Sequence, residues 1–384
     1  MQTVKDSSVS TSSYTCILTG ISMMQLILGV CFHLTGGFAA GSFYIPYKKV
    51  KGWAWESYWI TGGIVSWLIL PPLAAWLTIP DFILIIRQTD APVLGLTFLF
   101  GLLWGIGGLT FGLGLRYLGI ALGSSVMLGL TAVFGALLPA LYYDHFPEAG
   151  KDGFSLLISS TWGRVVLLGL LLCILGILLC GRAGMMKERN LRKVPGNAGA
   201  AEFRLLRGLA VALVSGMLSA CFAFGIAAGN DMSRRADLLW RARHAGQGAF
   251  LYQHNVTYVV LLWGGLATNL CWCLLLNIKN GTISDYTAAH TPLLRNYLFC
   301  AAAGTAWFLQ FFFYGMGESR LGSGASSWIL HMAFIILTAN VWGLILKEWT
   351  SAGKQTFRTV MAGILLIMLS IVVIGYGNSI KVST

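Results

Sequence analysis

The chain has 384 residues, of which 56% are apolar and only 10% are charged, and it contains 47 glycines. Soluble domains carry about 25% charged residues, so this composition argues against a water-soluble globular enzyme. The formal net charge of +12 at pH 7 would suit a nucleic-acid-binding protein, but the positions of the basic residues between apolar stretches argue against that partner.

Ten charge-free stretches follow one another along the chain, and each is long enough to cross a bilayer as a helix. A hydrocarbon core of about 30 Å needs roughly 20 apolar residues, with about 17 as the minimum, and the fifth stretch only just passes. Lipid offers the backbone no hydrogen bonds, so spanning segments of this length are helices. We predict an all-α integral membrane protein with ten transmembrane helices. The stretches are 21–46, 57–80, 91–115, 117–143, 165–181, 208–230, 255–278, 296–317, 321–346 and 359–380.

Basic residues are concentrated on one side of these helices. If the N-terminus lies outside, the inner loops hold most of the 26 lysines and arginines, which is the bias that orients membrane proteins. The loop 230–253 departs from this pattern with its four arginines. The bilayer is therefore the predicted partner, and nucleic acid is not. We expect no cleaved signal peptide, because the tail 1–20 lacks a short apolar core after a basic start.

The two halves of the chain resemble each other at one constant offset. Because each half has five helices, an odd number, the second half must enter the membrane upside down. Inverted repeats of this kind are typical of secondary transporters, which bind substrate between the halves. We predict two inverted five-helix repeats, with a tail 1–20, a first repeat 21–181, a basic cytoplasmic linker 182–207 and a second repeat 208–384. The matched positions are Gly101, Trp104, Phe111, Gly112, Gly114, Leu118 and Gly119 with Gly304, Trp307, Tyr314, Gly315, Gly317, Leu321 and Gly322.

Motifs for catalysis are missing from the sequence. It has no Gly-x4-Gly-Lys-Ser/Thr loop for nucleotide phosphates and no His-Glu-x2-His, and no Asp or Glu lies within the ten stretches. We predict no enzymatic activity, no cofactor and no metal site, and we expect the cysteines to be free thiols. A sensor or a membrane-embedded enzyme is the weakest alternative, because the loops leave no soluble domain to relay a signal.

Two histidines lie within the predicted helices, His33 in the first and His331 in the ninth. Ionisable residues at this depth usually face the bundle interior or a watery cavity, and imidazole titrates near neutral pH. We predict that His33 and His331 couple transport to protons. The alternative for each is a neutral histidine that donates to a nearby carbonyl. Glu318 is the other candidate, and it is expected in a loop beside Arg320.

Tryptophans and neutral polar residues within the helices favour an uncharged solute such as a sugar. An indole face covers the C–H face of a sugar, and amides and hydroxyls bind its hydroxyl groups. A cavity with almost no fixed charge disfavours a phosphorylated sugar. Trp53, Trp55, Trp59 and Trp349 are expected to anchor the protein at the interface. The predicted substrate-binding residues are Trp67, Trp104, Trp307, Gln310, Tyr314, Ser327 and Trp328.

Several blocks of this sequence resemble the L-rhamnose–proton symporter family, from about residue 30 to 375. The resemblance implies the ten-helix, two-repeat fold of the drug/metabolite transporter superfamily. It also implies uptake of L-rhamnose, or a related 6-deoxy sugar, with a proton across a bacterial inner membrane. An exporter or facilitator of another small neutral metabolite is the alternative. The blocks are FYIPYKKVK at 43–51, WAWE at 53–56, GGIVSW at 62–67, WGIG at 104–107, LRYLG at 115–119, WFLQFFFY at 307–314, SWILHM at 327–332 and LKEW at 346–349.

Overall fold

Ten helices that are long and apolar enough to cross a membrane make up most of the described chain, as predicted. The computed structural model describes residues 8–118, 120–147, 151–192, 205–244, 250–346 and 353–383. The long helices are α1 (Ser8–Ser42), α2 (Trp55–Thr78), α3 (Ala91–Leu118), α4 (Ile120–His145), α5 (Thr161–Arg192), α6 (Leu205–Ala228), α7 (Asn255–Asn280), α8 (Leu293–Leu321), α9 (Gly324–Ile345) and α10 (Lys354–Ser383). Shorter helical segments are Tyr44–Tyr47, Phe82–Gln88, Phe154–Ser159, Asn230–Arg243 and Ile283–Thr287.

The fifth helix is longer than its charge-free stretch 165–181 predicts. Its apolar segment, Thr161–Lys187, has 27 residues, so the expectation of a barely sufficient span is wrong. Arg164 and Arg182 lie inside the helix, near the two ends of its apolar segment, where long basic side chains can reach the polar interface. Charges at these positions therefore do not end the span.

Helix also extends into two segments that the sequence analysis assigned to connections. α1 begins at Ser8, within the predicted tail 1–20, and α5 continues to Arg192, within the predicted linker 182–207. Residues 1–7 of the tail and 193–204 of the linker lie outside the described part of the chain. A helix can continue beyond the bilayer surface, so the length of an apolar stretch is a lower bound for the helix that contains it.

The loop 230–253 contains the surface helix Asn230–Arg243. Asp231 pairs with Arg235 at 2.7 Å, and Asp237 pairs with Arg241 at 2.8 Å. Both pairs are four residues apart, a spacing that stabilises helices through neighbouring side chains. Two of the four arginines that depart from the predicted charge bias therefore stabilise a short helix.

The α-helical hydrogen bonding of α2 is interrupted in its middle, just before two prolines. A π-helical turn covers Ile64–Ile69, and Pro71 and Pro72 follow it. Proline has no N–H for the helical ladder, and single π turns are common where that ladder is interrupted at functional sites. The turn directs Ser66 and Trp67 into the bundle, where both are buried.

The helices of the two halves pack in one repeated pattern. The first helix of each half packs on the third and fourth helices of the other half: α1 contacts α8 and α9, and α6 contacts α3 and α4. The second helix of each half packs on the third helix of the other half: α2 contacts α8, and α7 contacts α3. One glycine contact also occurs twice, because Gly101 of α3 meets Gly264 of α7, and Gly304 of α8 meets Gly62 of α2. Equivalent helices of each half thus contact the other half in the same way. This repetition supports the predicted duplication, and the inversion of the halves stays a prediction.

Gly304→Ala is expected to destabilise the protein, because the added methyl group would collide with the backbone carbonyl of Gly62. Overpacking of this kind costs about 1–3 kcal/mol. The matched control is Gly108→Ala, since a methyl group there meets no atom within 4 Å. Thermal unfolding in detergent should show a lower melting temperature for Gly304→Ala and not for Gly108→Ala. Equal melting temperatures for the two variants would contradict this close helix contact.

Candidate functional site

The two predicted proton-coupling histidines lie side by side in the bundle, and Tyr314 completes a triangle of rings. The ring centroids of His33 and His331 are 5.8 Å apart, and that of Tyr314 is 5.4 Å from His33 and 5.3 Å from His331. All three side chains are buried. Neither ring nitrogen of His33, nor Nδ1 of His331, has a hydrogen-bond partner among the described residues. The alternative in which His33 donates to a nearby carbonyl is therefore wrong in this conformation.

Glycines bring the three helices of this triangle together. A methyl group on Gly317 of α8 would lie 2.6 Å from Nε2 of His33, and one on Gly36 of α1 would lie 3.0 Å from Cε1 of His331. Gly37 of α1 meets the backbone of α9. Small residues allow helices to approach closely in lipid, so these glycines give the histidines their short separation.

Three further predicted binding residues surround the triangle. Gln310 lies one helical turn before Tyr314 on α8, and Ser327 lies one turn before His331 on α9. Nε2 of Gln310 and Oγ of Ser327 are buried without a hydrogen-bond partner in the described chain. The indole of Trp328 lies 6.1 Å from the Tyr314 ring, and its N–H donates to a backbone carbonyl of α4 at 3.0 Å. Trp328 therefore offers a ligand only its ring face.

The remaining predicted binding residues form a second aromatic group around Phe311. Trp104 and Trp307 lie 5.6 and 6.2 Å from the Phe311 ring, and Trp67 lies 6.3 Å from Trp104. The N–H groups of Trp67 and Trp307 are buried and have no acceptor among the described residues. Phe311 follows Gln310 directly along α8, so the two groups of predicted residues are adjacent.

An open cavity of about 220 Å³ lies among the helices, and Tyr314 is one of its lining residues. It lies between α4, α6, α8 and α9. It is on the side of the protein where the even-numbered helices end and are connected to the helices that follow them. We call this side the cavity face, and the opposite side, which carries the linker, the linker face. Of the nine predicted site residues, Tyr314 is the one that lines this cavity.

Charged and polar residues also line the cavity, so the expectation of an almost chargeless chamber is wrong for this region. They include Glu318, His254, Lys151 and Asp152. Glu318 was expected in a loop, but it lies in the last turn of α8. The criterion of charge-free stretches ended the eighth span at Gly317 and therefore excluded the next residue, Glu318, although the helix continues to Leu321.

His254 is held at the start of α7 and faces Glu318 across the cavity region. Its Nδ1 lies 3.3 Å from Oγ of Ser233, and its side chain is buried. Burial lowers the pKa of His254, the negative charge of Glu318 raises it, and the positive charge of Lys151 lowers it further. The net shift is downward, so the imidazole is neutral at pH 7.

The linker face is closed by hydrogen bonds between the start of α2 and the region after α7. The carboxylate of Asp285 accepts from the backbone N–H of Ala54 at 2.7 Å and from the hydroxyl of Ser57 at 2.8 Å. The carboxylate of Glu56 accepts from the amide of Asn280 at 2.8 Å. Hydrogen bonds to charged groups are worth about 1.5–3 kcal/mol each, so this network holds the two segments together.

Two of the tryptophans expected at the interface lie inside this closed face instead. Trp53 is buried, and its ring lies 4.9 Å from that of Tyr297. The indole N–H of Trp59 donates to the side-chain oxygen of Asn269 at 3.0 Å. Both rings join the closing segments because aromatic residues near a helix end can pack inward as readily as toward lipid. Trp349 lies outside the described residues.

Comparison with known proteins gives a consistent result over nearly the whole chain. A family described as L-rhamnose-proton symport protein matches residues 23–380. The L-rhamnose-proton symporter of Cronobacter sakazakii is 37% identical over 357 residues, which cover 92% of this chain and 98% of that protein. The proteins of that name from Yersinia pestis and Yersinia pseudotuberculosis are each 36% identical with the same coverage.

Asp285→Ala should open the linker face more often, because the donors of Ala54 and Ser57 lose their charged acceptor. Cys300 is fully buried behind this face, in the cluster that contains Trp53. A shift of about 1.4 kcal/mol toward opening would raise its labelling rate about tenfold. The rate can be followed by mass spectrometry with a membrane-impermeant thiol reagent.

The control for this experiment is Asp90→Ala, which removes an exposed carboxylate at the cavity face. Cys300 should be labelled in that variant as slowly as in the unmodified protein. If Asp285→Ala also leaves the labelling of Cys300 unchanged, the network does not hold the linker face closed.

Proposed function

The chain belongs to the L-rhamnose-proton symport protein family, and we propose that it takes up L-rhamnose, or a closely related 6-deoxy sugar, together with a proton across a bacterial inner membrane. The observation that carries this proposal is the triangle of His33, His331 and Tyr314, whose tyrosine lines an open cavity. Buried polar groups normally have hydrogen-bond partners. The unpaired atoms around this triangle therefore offer partners to a ligand that arrives through the cavity.

The proposed sugar site lies beside Tyr314, between α8 and α9. The ring face of Trp328 covers an apolar face of the sugar, and the amide of Gln310 and the hydroxyl of Ser327 bind its hydroxyl groups. The open cavity that leads to Tyr314 has a volume of about 220 Å³, below the roughly 300–1,000 Å³ of pockets for drug-sized ligands, so it is suited to the entry of a monosaccharide. Trp67, Trp104 and Trp307 would contact the sugar later, as it moves toward the linker face.

The proposed proton site is the pair of His33 and His331. Two positive charges at the 5.8 Å separation of the rings would repel each other by about 3 kcal/mol at an effective dielectric constant of about 20. The pair would therefore accept no more than one positive charge. One proton that crosses about 100 mV releases about 2.3 kcal/mol, which corresponds to roughly fifty-fold accumulation of a neutral sugar. A single proton thus suffices for active uptake.

The proposed transport cycle exchanges the open and closed faces. The cavity face is open and the linker face is closed in this structure, and the predicted orientation places the cavity face outside. This state is suited to loading from outside. In two inverted repeats, each half can adopt the conformation of the other, which closes the cavity face and opens the linker face. The repeated pairing of α1 with α8 and of α6 with α3 supports such an exchange.

Membrane vesicles that contain the protein should accumulate radiolabelled L-rhamnose when a pH gradient is imposed. With one proton per sugar, each pH unit supports about tenfold accumulation, and a protonophore should abolish it. Accumulation that ignores the protonophore would contradict proton coupling. Competition by L-rhamnose, fucose and lyxose tests the substrate, and indifference to all three would favour the export of another metabolite.

His331→Gln should abolish this accumulation and retain exchange of labelled for unlabelled sugar across the membrane. Glutamine can still form hydrogen bonds to the sugar, but it cannot carry a proton near neutral pH. The matched control is His290→Gln, since His290 is exposed on the linker face. If His331→Gln accumulates L-rhamnose as well as the control does, the histidine pair is not the coupling site.

A further inference from the structure

Glu318 occupies a position that neither the sugar site nor the histidine pair explains. Its side chain lines the open cavity together with Tyr314. One of its carboxylate oxygens, Oε2, is buried and has no hydrogen-bond donor among the described residues. A buried polar atom without a partner is costly, so its presence in a transport cavity calls for a ligand.

The other acidic groups near the two faces differ from Glu318 in this respect. Asp152 lines the same cavity but binds the ammonium group of Lys381 at 2.8 Å. Asp285 and Glu56 accept hydrogen bonds that close the linker face. These carboxylates are committed to structure, whereas Glu318 retains an oxygen that can bind a further proton.

The sequence of α8 connects Glu318 with the histidine pair. Gln310, Tyr314 and Glu318 are spaced four residues apart, so they form one stripe along the helix. The Tyr314 ring contacts both His33 and His331. The stripe thus leads from a carboxylate at the cavity, through a phenol, to two imidazoles.

We propose that Glu318 binds the co-transported proton from the cavity and passes it through Tyr314 to the pair of His33 and His331. A hydronium ion from the cavity gives its proton to the carboxylate and becomes water, and the carboxylate becomes a neutral acid. Tyr314 then gives its hydroxyl proton to His331 and receives the proton of Glu318. The tyrosine ends unchanged, the carboxylate is restored, and the histidine pair gains one positive charge. This inference rests on the proposed symport of a sugar with a proton.

Several titratable groups on neighbouring elements surround Glu318 and bear on this proposal. The charge of Asp152 is already paired with Lys381, and burial lowers the pKa of His254, so that group is neutral at pH 7. Tyr314 is the residue of this set that both lines the cavity and contacts the rings of His33 and His331. The full set is His254 and Tyr258 on α7, Tyr143 on α4, Lys151 and Asp152 after α4, Lys381 on α10, His33 on α1, and Tyr314 and Arg320 on α8.

The test compares Glu318→Gln with the unmodified protein in proteoliposomes. Three quantities are measured: proton uptake on addition of L-rhamnose, accumulation driven by a pH gradient, and exchange of labelled sugar. In Glu318→Gln the proton uptake should disappear, and accumulation should fall from about tenfold per pH unit to about one. Exchange should stay within about twofold of the unmodified protein. The control is Asp90→Asn, an exposed carboxylate on the same face, which should change none of the three quantities.

Glu318→Asp keeps an acid at this position, so it should retain accumulation with a shifted pH profile. That result would support the proposal even if Glu318→Gln fails to fold, which its melting temperature will show. An unshifted pH profile in Glu318→Asp would then overturn the proposal.

Two results for a folded Glu318→Gln would also overturn it. The first is an unchanged ratio of protons to sugar. The second is a loss of exchange together with accumulation, which would assign Glu318 to the sugar. If the unmodified protein takes up no protons with L-rhamnose, the proposed symport fails, and this failure is visible before any variant is made.

Discussion

A polar group without a hydrogen-bond partner is costly inside a membrane, and this constraint governs the whole molecule. Most polar groups in the described helices have hydrogen-bond partners within the protein. The side-chain amide of Asn269, for example, donates to a backbone carbonyl one turn earlier. His33, Gln310 and Ser327 have buried polar atoms without a hydrogen-bond partner in the described chain. They cluster inside the bundle, where glycine contacts bring α1, α8 and α9 close together.

The two faces of the protein use polar groups in opposite ways. At the linker face, carboxylates accept hydrogen bonds from residues more than 200 positions away in sequence, as Asp285 does from Ser57. At the cavity face, Glu318 keeps a buried oxygen without a donor in the described chain. A closed gate needs its acids committed to partners, whereas a proton carrier needs one that is not. The difference between Asp285 and Glu318 therefore follows from what each face does.

The ten helices and the burial of His33 and His331 inside the bundle could be predicted, because they depend on local composition and on the cost of exposing imidazole to lipid. The length of α5 could not, since its helix includes Arg164 and Arg182, the two charges that bounded the predicted stretch. Glu318 was assigned to a loop because a charge adjacent to an apolar stretch gives no sign of its depth. The network around Asp285 joins segments that are distant in sequence, and no local pattern indicates such a pairing.

The account depends on the claim that the unpaired atoms around the triangle of His33, His331 and Tyr314 are the place where sugar and proton meet. The most direct test is an experimental structure determined with L-rhamnose. The account predicts the sugar beside Tyr314, with a hydroxyl oxygen about 3 Å from the amide of Gln310 or from an imidazole nitrogen. A sugar bound elsewhere, with these atoms still lacking partners, would contradict it.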